Sequence, residues 1–215
     1  MNISKEELTK VFPYGKTEYA IGNKENMFWI IRNSAYIDMQ PRHFKNIGKK
    51  KDERDKIFCE LVDKFCDYFK AEPMNEKEYD KWHKDLCNWL HDEFDKIGYS
   101  DILTRGKAQK LINMSMKQFY LFNNSDERYF EYAHFTLDTY TLIWYGVYCP
   151  VYDFFPDSWQ TWGNFDDNVY ETMQNEVRKY LSSPENTELA GISPFKAEFF
   201  IWKKYSEKFG RFFRK

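Results

Sequence analysis

Apolar residues return at intervals of three and four along most of this chain, the spacing that lines one side of an α-helix. From Asp52 to Ala71 the recurring set is Ile57, Leu61, Phe65, Tyr68 and Phe69, with Asp55, Glu60, Asp63 and Lys64 on the other faces. Pro73 ends that segment and Asn75 is placed to cap the next. The second helix runs to Ile97 with Tyr79, Trp82, Leu86, Trp89, Leu90 and Phe94 turned inward, and Gly98 supplies the stop. Two long helices joined by so short a link predict an antiparallel hairpin.

A third helix is expected from Thr104 to Phe122, with Ala108, Leu111, Ile112, Ser115, Phe119 and Phe122 on its inner face, before Asn123-Asn124-Ser125 breaks the chain. The next helix opens at Thr136 or Asp138 and carries Leu142 and Ile143 inward. Tyr145 to Gly163, rich in rings and holding Pro150 and Pro156, reads as a long ordered loop. Helices follow from Asp166 to Leu181 and from Pro194 to Phe213, the latter with Ser193 as cap and proline in its first turn. Met27 to Ile31 fits either a helical turn or a short strand. The pattern predicts an all-α fold: one multi-helix domain over residues 51–215, preceded by an N-terminal arm, residues 1–50, whose structure it leaves open.

Composition sharpens this picture. Twenty Phe, 16 Tyr and 7 Trp stand in a chain whose mean hydropathy is −0.78. Amphipathic helices gripping a ring-rich core reconcile the two; disorder does not. Nine Gly and 7 Pro are too few for a turn-dense all-β protein. Lys5, Glu6, Glu7 and Lys10 fall where a secretory leader needs apolar residues, and the apolar runs are short for a membrane span, so a soluble cytoplasmic protein with no membrane partner is expected. Cys59, Cys66, Cys87 and Cys149 form no C-x-x-C pair and read as buried, reduced thiols. His83, Cys87 and His91 recur at four-residue steps, but the outer two lie about 12 Å apart along a helix axis, too far for one ion. No metal or other cofactor is expected.

Charge is distributed unevenly. The formal net charge of −2 and a pI near 6.1 argue against a protein that coats nucleic acid through bulk charge. Yet Arg42 to Lys56 holds seven Lys or Arg against three acids, Lys203 to Lys215 six against one, and Asp153 to Glu188 two against eight. Either the molecule has a polar binding face or these regions neutralise one another in the fold. The sharpest departure is Arg105 to Lys117, R-G-K-A-Q-K-L-I-N-M-S-M-K, with four basic side chains and no acid. Lys107, Lys110 and Lys117 share one helical face, opposite the apolar stripe, and Gln109 and Asn113 on its flank are placed to hydrogen-bond a neighbour. With Arg105 and Gly106 at the helix start, where backbone N–H groups are free, this segment suits a phosphate; its plain alternative is a solvated lysine row. Downstream, in A-H-F-T-L-D, His134 stands four residues before Asp138, which reads as a helix N-cap or as a functional acid. The rings between Tyr145 and Trp162 suit base stacking or, more plainly, closure of the core.

The set G-K-A-Q-K-x-x-N-M-x-x-K followed by H-F-x-L-D, with W-x-x-W at Trp159–Trp162 and Tyr170 to Gln174 beyond it, resembles a group of uncharacterised bacterial proteins. The likeness spans Tyr99 to Leu181 and carries no established activity. A second, weaker resemblance is to helix-hairpin-helix DNA glycosylases: Gly106 is similar to the last glycine of their hairpin and Leu137-Asp138-Thr139 to the turn bearing their catalytic aspartate. That resemblance implies Lys107 or Lys110 as the amine, Asp138 as the acid and His134 as a pocket residue, acting once a base is flipped out. Thr104 stands where the hairpin's first glycine belongs, neither lysine has the usual offset from Gly106, and no iron–sulfur cysteine set is present. The interval from Lys110 to Asp138 is longer than in most of that family, although archaeal oxoguanine glycosylases tolerate a longer one. Two expectations follow. One is a helical protein acting on nucleic acid, with phosphate met by Arg105, Gly106, Lys107, Lys110 and Lys117. The other is a non-enzymatic helical protein, in phage defence or regulation, whose basic face docks on another protein or on the Asp153–Glu188 region of a second copy.

Overall fold

The computed structural model describes Lys5, Leu8, residues 22–36, 50–99, 103–122 and 126–149, Gly163, and residues 165–209. Among them seven α-helices follow one another: α1 (Lys24–Ile30), α2 (Lys51–Lys70), α3 (Glu76–Lys96), α4 (Arg105–Phe122), α5 (Thr139–Tyr148), α6 (Asp167–Leu181) and α7 (Pro194–Phe209). No strand occurs among the described residues, and the fold is all-α.

Met27 to Ile31 is helical. The Asn23 side chain caps α1 by accepting from Asn26 N at 3.1 Å, and the chain continues into a π-helical turn, Ile31–Ala35. Met27, Ile30, Ile31, Ala35 and Tyr36 bury in the same core as α2 and α4. Residues 1–4, 6, 7, 9–21 and 37–49 of the expected arm lie outside the described residues.

The α2–α3 hairpin forms as the spacing predicts. Asn75 and Glu78 close a capping box, each side chain accepting from the other's backbone N–H at 3.1 and 2.9 Å. Gly98 ends α3 with φ at +80°, a left-handed conformation that disfavours any residue with a Cβ. Across the hairpin Tyr68 stacks on Trp82 with centroids 4.4 Å apart, and Phe65 meets Phe119 of α4 edge-on. Aromatic pairing thus does here what aliphatic ridges do elsewhere.

Helix α4 is the centre of the molecule: every residue from Ala108 to Leu121 is buried. One core cluster joins it to α1, α2 and α3; a second gathers Phe135, Leu137, Leu142 and Tyr145 with α6 and α7. Helix α5 reaches Tyr148, so the expected loop cannot begin at Tyr145. Tyr145 follows Thr141 by one turn on the buried face and is itself fully buried, which keeps the chain helical. Residues 150–162, including Trp159 and Trp162, lie outside the described residues, as do 210–215 at the expected end of α7.

All four cysteines are free thiols. Cys66, Cys87 and Cys149 are buried, but Cys59 is exposed, because its neighbours one turn either way, Asp55 and Asp63, place it on the polar side of α2. Among the described residues no helix is long and apolar enough to cross a membrane.

Candidate functional site

The basic residues of α4 do not form an exposed face. The helix is wrapped on all sides, so Lys110 and Lys117 point into the seam that α4 makes with the start of α5 and with α7. A buried ammonium is tolerated only with an opposing charge and hydrogen bonds. Each has one. Lys110 Nζ lies 3.8 Å from Asp138 Oδ2, and Lys117 Nζ lies 2.8 and 2.7 Å from the two oxygens of Glu198. Lys117 also sits 4.8 Å over the Phe199 ring. The expectation that Lys110 and Lys117 meet phosphate as an open row is corrected: their face is taken up inside the protein.

Asp138 has two jobs on its two oxygens. Oδ1 caps α5, accepting from Tyr140 N at 3.0 Å and Thr141 N at 3.1 Å, while the Thr141 hydroxyl donates to the Thr136 carbonyl at 2.8 Å and accepts from Asp138 N at 2.8 Å. Oδ2 accepts from Trp202 Nε1 at 3.1 Å and faces Lys110. The cap fixes the carboxylate's orientation, and the second oxygen is presented to the seam. Side-chain exposure separates the pairs: Lys110 and Asp138 keep 9% and 8%, whereas Lys117 and Glu198 keep 1% each. Burial pushes the Glu198 carboxyl up to about 7, with Asp138 adding to the rise and Lys117 and Lys110 opposing it.

Glu198 and Trp202 escaped the sequence reading. Their signal was present: Glu198 falls in the apolar stripe of α7, among Phe195, Ile201 and Tyr205, where an acid has no place unless something buried answers it. Trp202, one turn on, shares that face.

His134 does not join Lys110 and Asp138. It belongs to a second polar network on the α3 and α6 side of α4. Asp80 accepts from His134 Nε2 at 2.7 Å, so Nδ1 accepts from the Tyr170 hydroxyl at 2.9 Å. Tyr170 in turn accepts from Asn113 Nδ2 at 3.2 Å, and Asn113 Oδ1 accepts from His83 Nε2 at 2.8 Å. Gln109 closes the network, accepting from Asn113 Nδ2 and donating to the carbonyls of Gly106 and Leu137. Gln109 and Asn113 thus bond neighbours as their flank position predicts.

Burial drives the His134 imidazole down to about 4, with the Asp80 hydrogen bond opposing and Arg178 adding, so the ring is neutral at pH 7. Burial alone would raise Asp80, but hydrogen bonds from His134 and Arg178 hold it at about 2. This network backs onto a cavity of about 260 Å³ walled by Asp80, Lys84, Arg105, His134, Glu171 and Arg178.

The remaining residues at the start of α4 are also accounted for. Arg105 Nε lies 2.7 Å from Asp167 Oδ1, with its guanidinium 4.9 Å over the Tyr170 ring. Gly106 is buried, and its carbonyl accepts from Gln109. Lys107 is partly buried, which lowers its ammonium from the usual lysine range. Thr104 donates its hydroxyl to the carbonyl of Gly163. The acids after α5 are largely answered within the chain: Glu171 pairs with Lys84, Asp167 with Arg105, and Glu188 with Lys204. Charge segregation along the sequence becomes neutralisation in space at these positions. His91 turns Nδ1 to the carbonyl of Leu103, away from His83 and Cys87. Among the described residues no group of three or more His, Cys, Asp or Glu is arranged to hold a metal.

Comparison of the chain with protein-family models, with curated sequences and with solved structures finds no match.

Proposed function

We propose that this protein acts on nucleic acid by base excision of the DNA-glycosylase type, with Lys110 as the attacking amine and Asp138 as the acid beside it. One observation carries the reading: an amine and a carboxylate on separate elements are brought to 3.8 Å in a seam where both keep a narrow exposure. The cap holds Asp138 in place, and the Trp202 indole donates to its second oxygen. In this chemistry the neutral Lys110 Nζ forms a bond to the sugar C1′. The glycosidic C–N bond breaks, the base takes the electron pair and a proton, and Asp138 balances positive charge at the sugar. The product is a Schiff base after the sugar ring opens. The setting is the cytoplasm, where the four thiols stay reduced.

The test is covalent capture. The full-length protein is incubated with duplex and single-stranded oligonucleotides carrying either oxidised guanine or an abasic site, with sodium borohydride present. A protein–DNA adduct is expected with the wild type and with Lys107→Gln, and none with Lys110→Gln. Failure of the folded wild type to release base or to form an adduct on any of these substrates would refute the proposal.

A further inference from the structure

The cavity of about 260 Å³ between α3, α4 and α6 has four cations in its wall, Lys81, Lys84, Arg105 and Arg178. Each has a carboxylate beside it: Asp85, Glu171, Asp167 and Asp80, in that order. Charge is thus matched, but hydrogen bonds are not. Arg178 forks onto Asp80 through both Nη atoms, and Lys84 donates to Glu171. Arg105 makes no such bond. Its side chain keeps 8% exposure, and its Nε, 2.7 Å from Asp167 Oδ1, lies out of line for a hydrogen bond. Nη1 is shut off from solvent and has no partner either. A buried guanidinium with donors unmade costs free energy until some acceptor meets it. Its charge reaches the cavity wall: after burial and Arg178, Arg105 helps hold the His134 imidazole down in its neutral form.

Independently of the base-excision reading, we infer that this cavity is a binding site for a phosphate group, taken up by the Arg105 guanidinium. Donors on three helices are open to it. Arg105 stands on α4, and Lys84 on α3 has N–H bonds beyond the one given to Glu171. Asn175 on α6 accepts from Arg178 through its amide oxygen, which leaves the amide NH₂ unclaimed among the described residues. Donors arriving from three sides match the tetrahedral oxygens of phosphate better than the plane of a carboxylate. Because charge is already matched, a bare halide gains little here. Asp167 is the group that gives way. It is one-third exposed in the first turn of α6, where the helix dipole favours an acid, so it stays supported when Arg105 turns from it. The Asp80–His134–Tyr170 network behind the cavity is complete and takes no part. Pockets that enclose drug-sized ligands measure roughly 300–1,000 Å³; this one is smaller, so a phosphate with few atoms attached fills it.

Calorimetric titration of the full chain tests this. Inorganic phosphate, glycerol 3-phosphate and acetate are each added at one ionic strength, set with sodium chloride. The wild type should bind phosphate and its ester at one site, and acetate about tenfold more weakly. Arg105→Gln should weaken phosphate binding about ten- to hundredfold, the loss expected for charge-assisted hydrogen bonds. Arg105→Lys keeps the charge but not the fork, and should weaken it as well. Lys96→Gln, the same change of charge at an exposed position, should leave it as it is. Asp167→Asn should strengthen it, a gain that damage to the fold does not produce. An oligonucleotide with a 5′-phosphate, beside its unphosphorylated form, tells the source: preference for the phosphorylated strand assigns the site to a DNA end, and equal binding assigns it to a small ester. No phosphate binding by the folded wild type, acetate bound as well as phosphate, or equal affinities for wild type and Arg105→Gln would each overturn the site. Should Arg105→Gln fail to fold, Arg105→Lys and Asp167→Asn decide. Borohydride capture through Lys110 stands or falls apart from all of these.

Discussion

Removing Lys110 and removing Asp138 should have unequal costs, and the inequality follows from who else bonds each partner. Asp138 retains three hydrogen bonds without Lys110, so Lys110→Met strips a charge from a carboxylate that is already satisfied. A loss of about 1 kcal/mol is expected, part of it returned by the apolar replacement. Asp138→Asn is harsher. If the amide oxygen keeps the cap on Tyr140 and Thr141, the amide NH₂ is turned on two donors, the Trp202 indole and the Lys110 ammonium. If it flips, the cap is lost. Leaving a buried cation without its acid costs about 3–5 kcal/mol. At 3.8 Å and an effective dielectric of about 20, the Coulomb interaction is at most about 4 kcal/mol. The double variant should therefore recover about 2–4 kcal/mol relative to the sum of the singles. Urea unfolding of the four proteins at pH 7, followed by tryptophan fluorescence with unchanged m-values, measures the cycle. A coupling below about 0.5 kcal/mol, or a larger loss from Lys110→Met than from Asp138→Asn, would refute the geometry argued for the seam. Capture of DNA should be absent from both singles and remain absent from the double, whatever its stability.

Further outcomes follow from the same contacts. Glu198 has a folded pKa above its unfolded value of 4.5, so from there to about 7 the folded state binds the extra proton and this group's contribution to stability falls as pH rises. Relative to wild type, Glu198→Gln should gain on the order of 3 kcal/mol between pH 4.5 and 7.5, read as the pH-dependence of the difference between their unfolding free energies. His134 runs the other way: its folded pKa of about 4 lies below 6.5, so its contribution is full above 6.5 and is lost as pH falls. That opposition is why a difference between two proteins, rather than one curve, is the measurement. Tyr170→Phe removes the hydroxyl shared by His134 and Asn113 and should cost about 1–3 kcal/mol in thermal unfolding; a change below about 0.5 kcal/mol would mean the network is not formed. Gly98→Ala, at φ +80° and with its new methyl meeting the Lys50 ammonium at 3.2 Å, should cost about 1 kcal/mol.

Periodicity located the helices because each is half-buried: α2 and α3 carry apolar residues on one side and acids and lysines on the other, and their ends are marked by Pro73, Asn75 and Gly98. It misjudged α4, where the lysines looked like an outer face. A helix at the centre of a molecule has no outer face. Its polar residues answer to groups from helices some eighty positions away, Glu198 among them, which local pattern does not reveal. Asp138 and His134 were legible as chemistry-bearing residues, yet both sit in A-H-F-T-L-D and face different sides of α4. His134 and Asp138 flank a stretch with no helix, and their side chains part in space. Their separation depends on where α3, α6 and α7 dock, and those contacts are tertiary.

The two sides of α4 also differ in how completely their polar groups are met, and that difference bears on function. Between Asp80 and His83 each shared hydrogen has one donor and one acceptor, which fixes the tautomer of both histidines and leaves one way to arrange the chain. Such a network specifies a fold; it has nothing left to offer a substrate without breaking a bond already made. The seam on the other side is supplied differently. Its lysine and carboxylate stand 3.8 Å apart, beyond good hydrogen-bonding distance, and burial displaces its second acid to about 7. Under the proposed base excision the chemistry rests on Lys110 and Asp138, and His134 belongs with the scaffold that holds α4 in place. His134→Asn should thus lower stability and leave the pH profile of DNA capture unmoved. A displaced profile with unchanged stability would reverse that assignment.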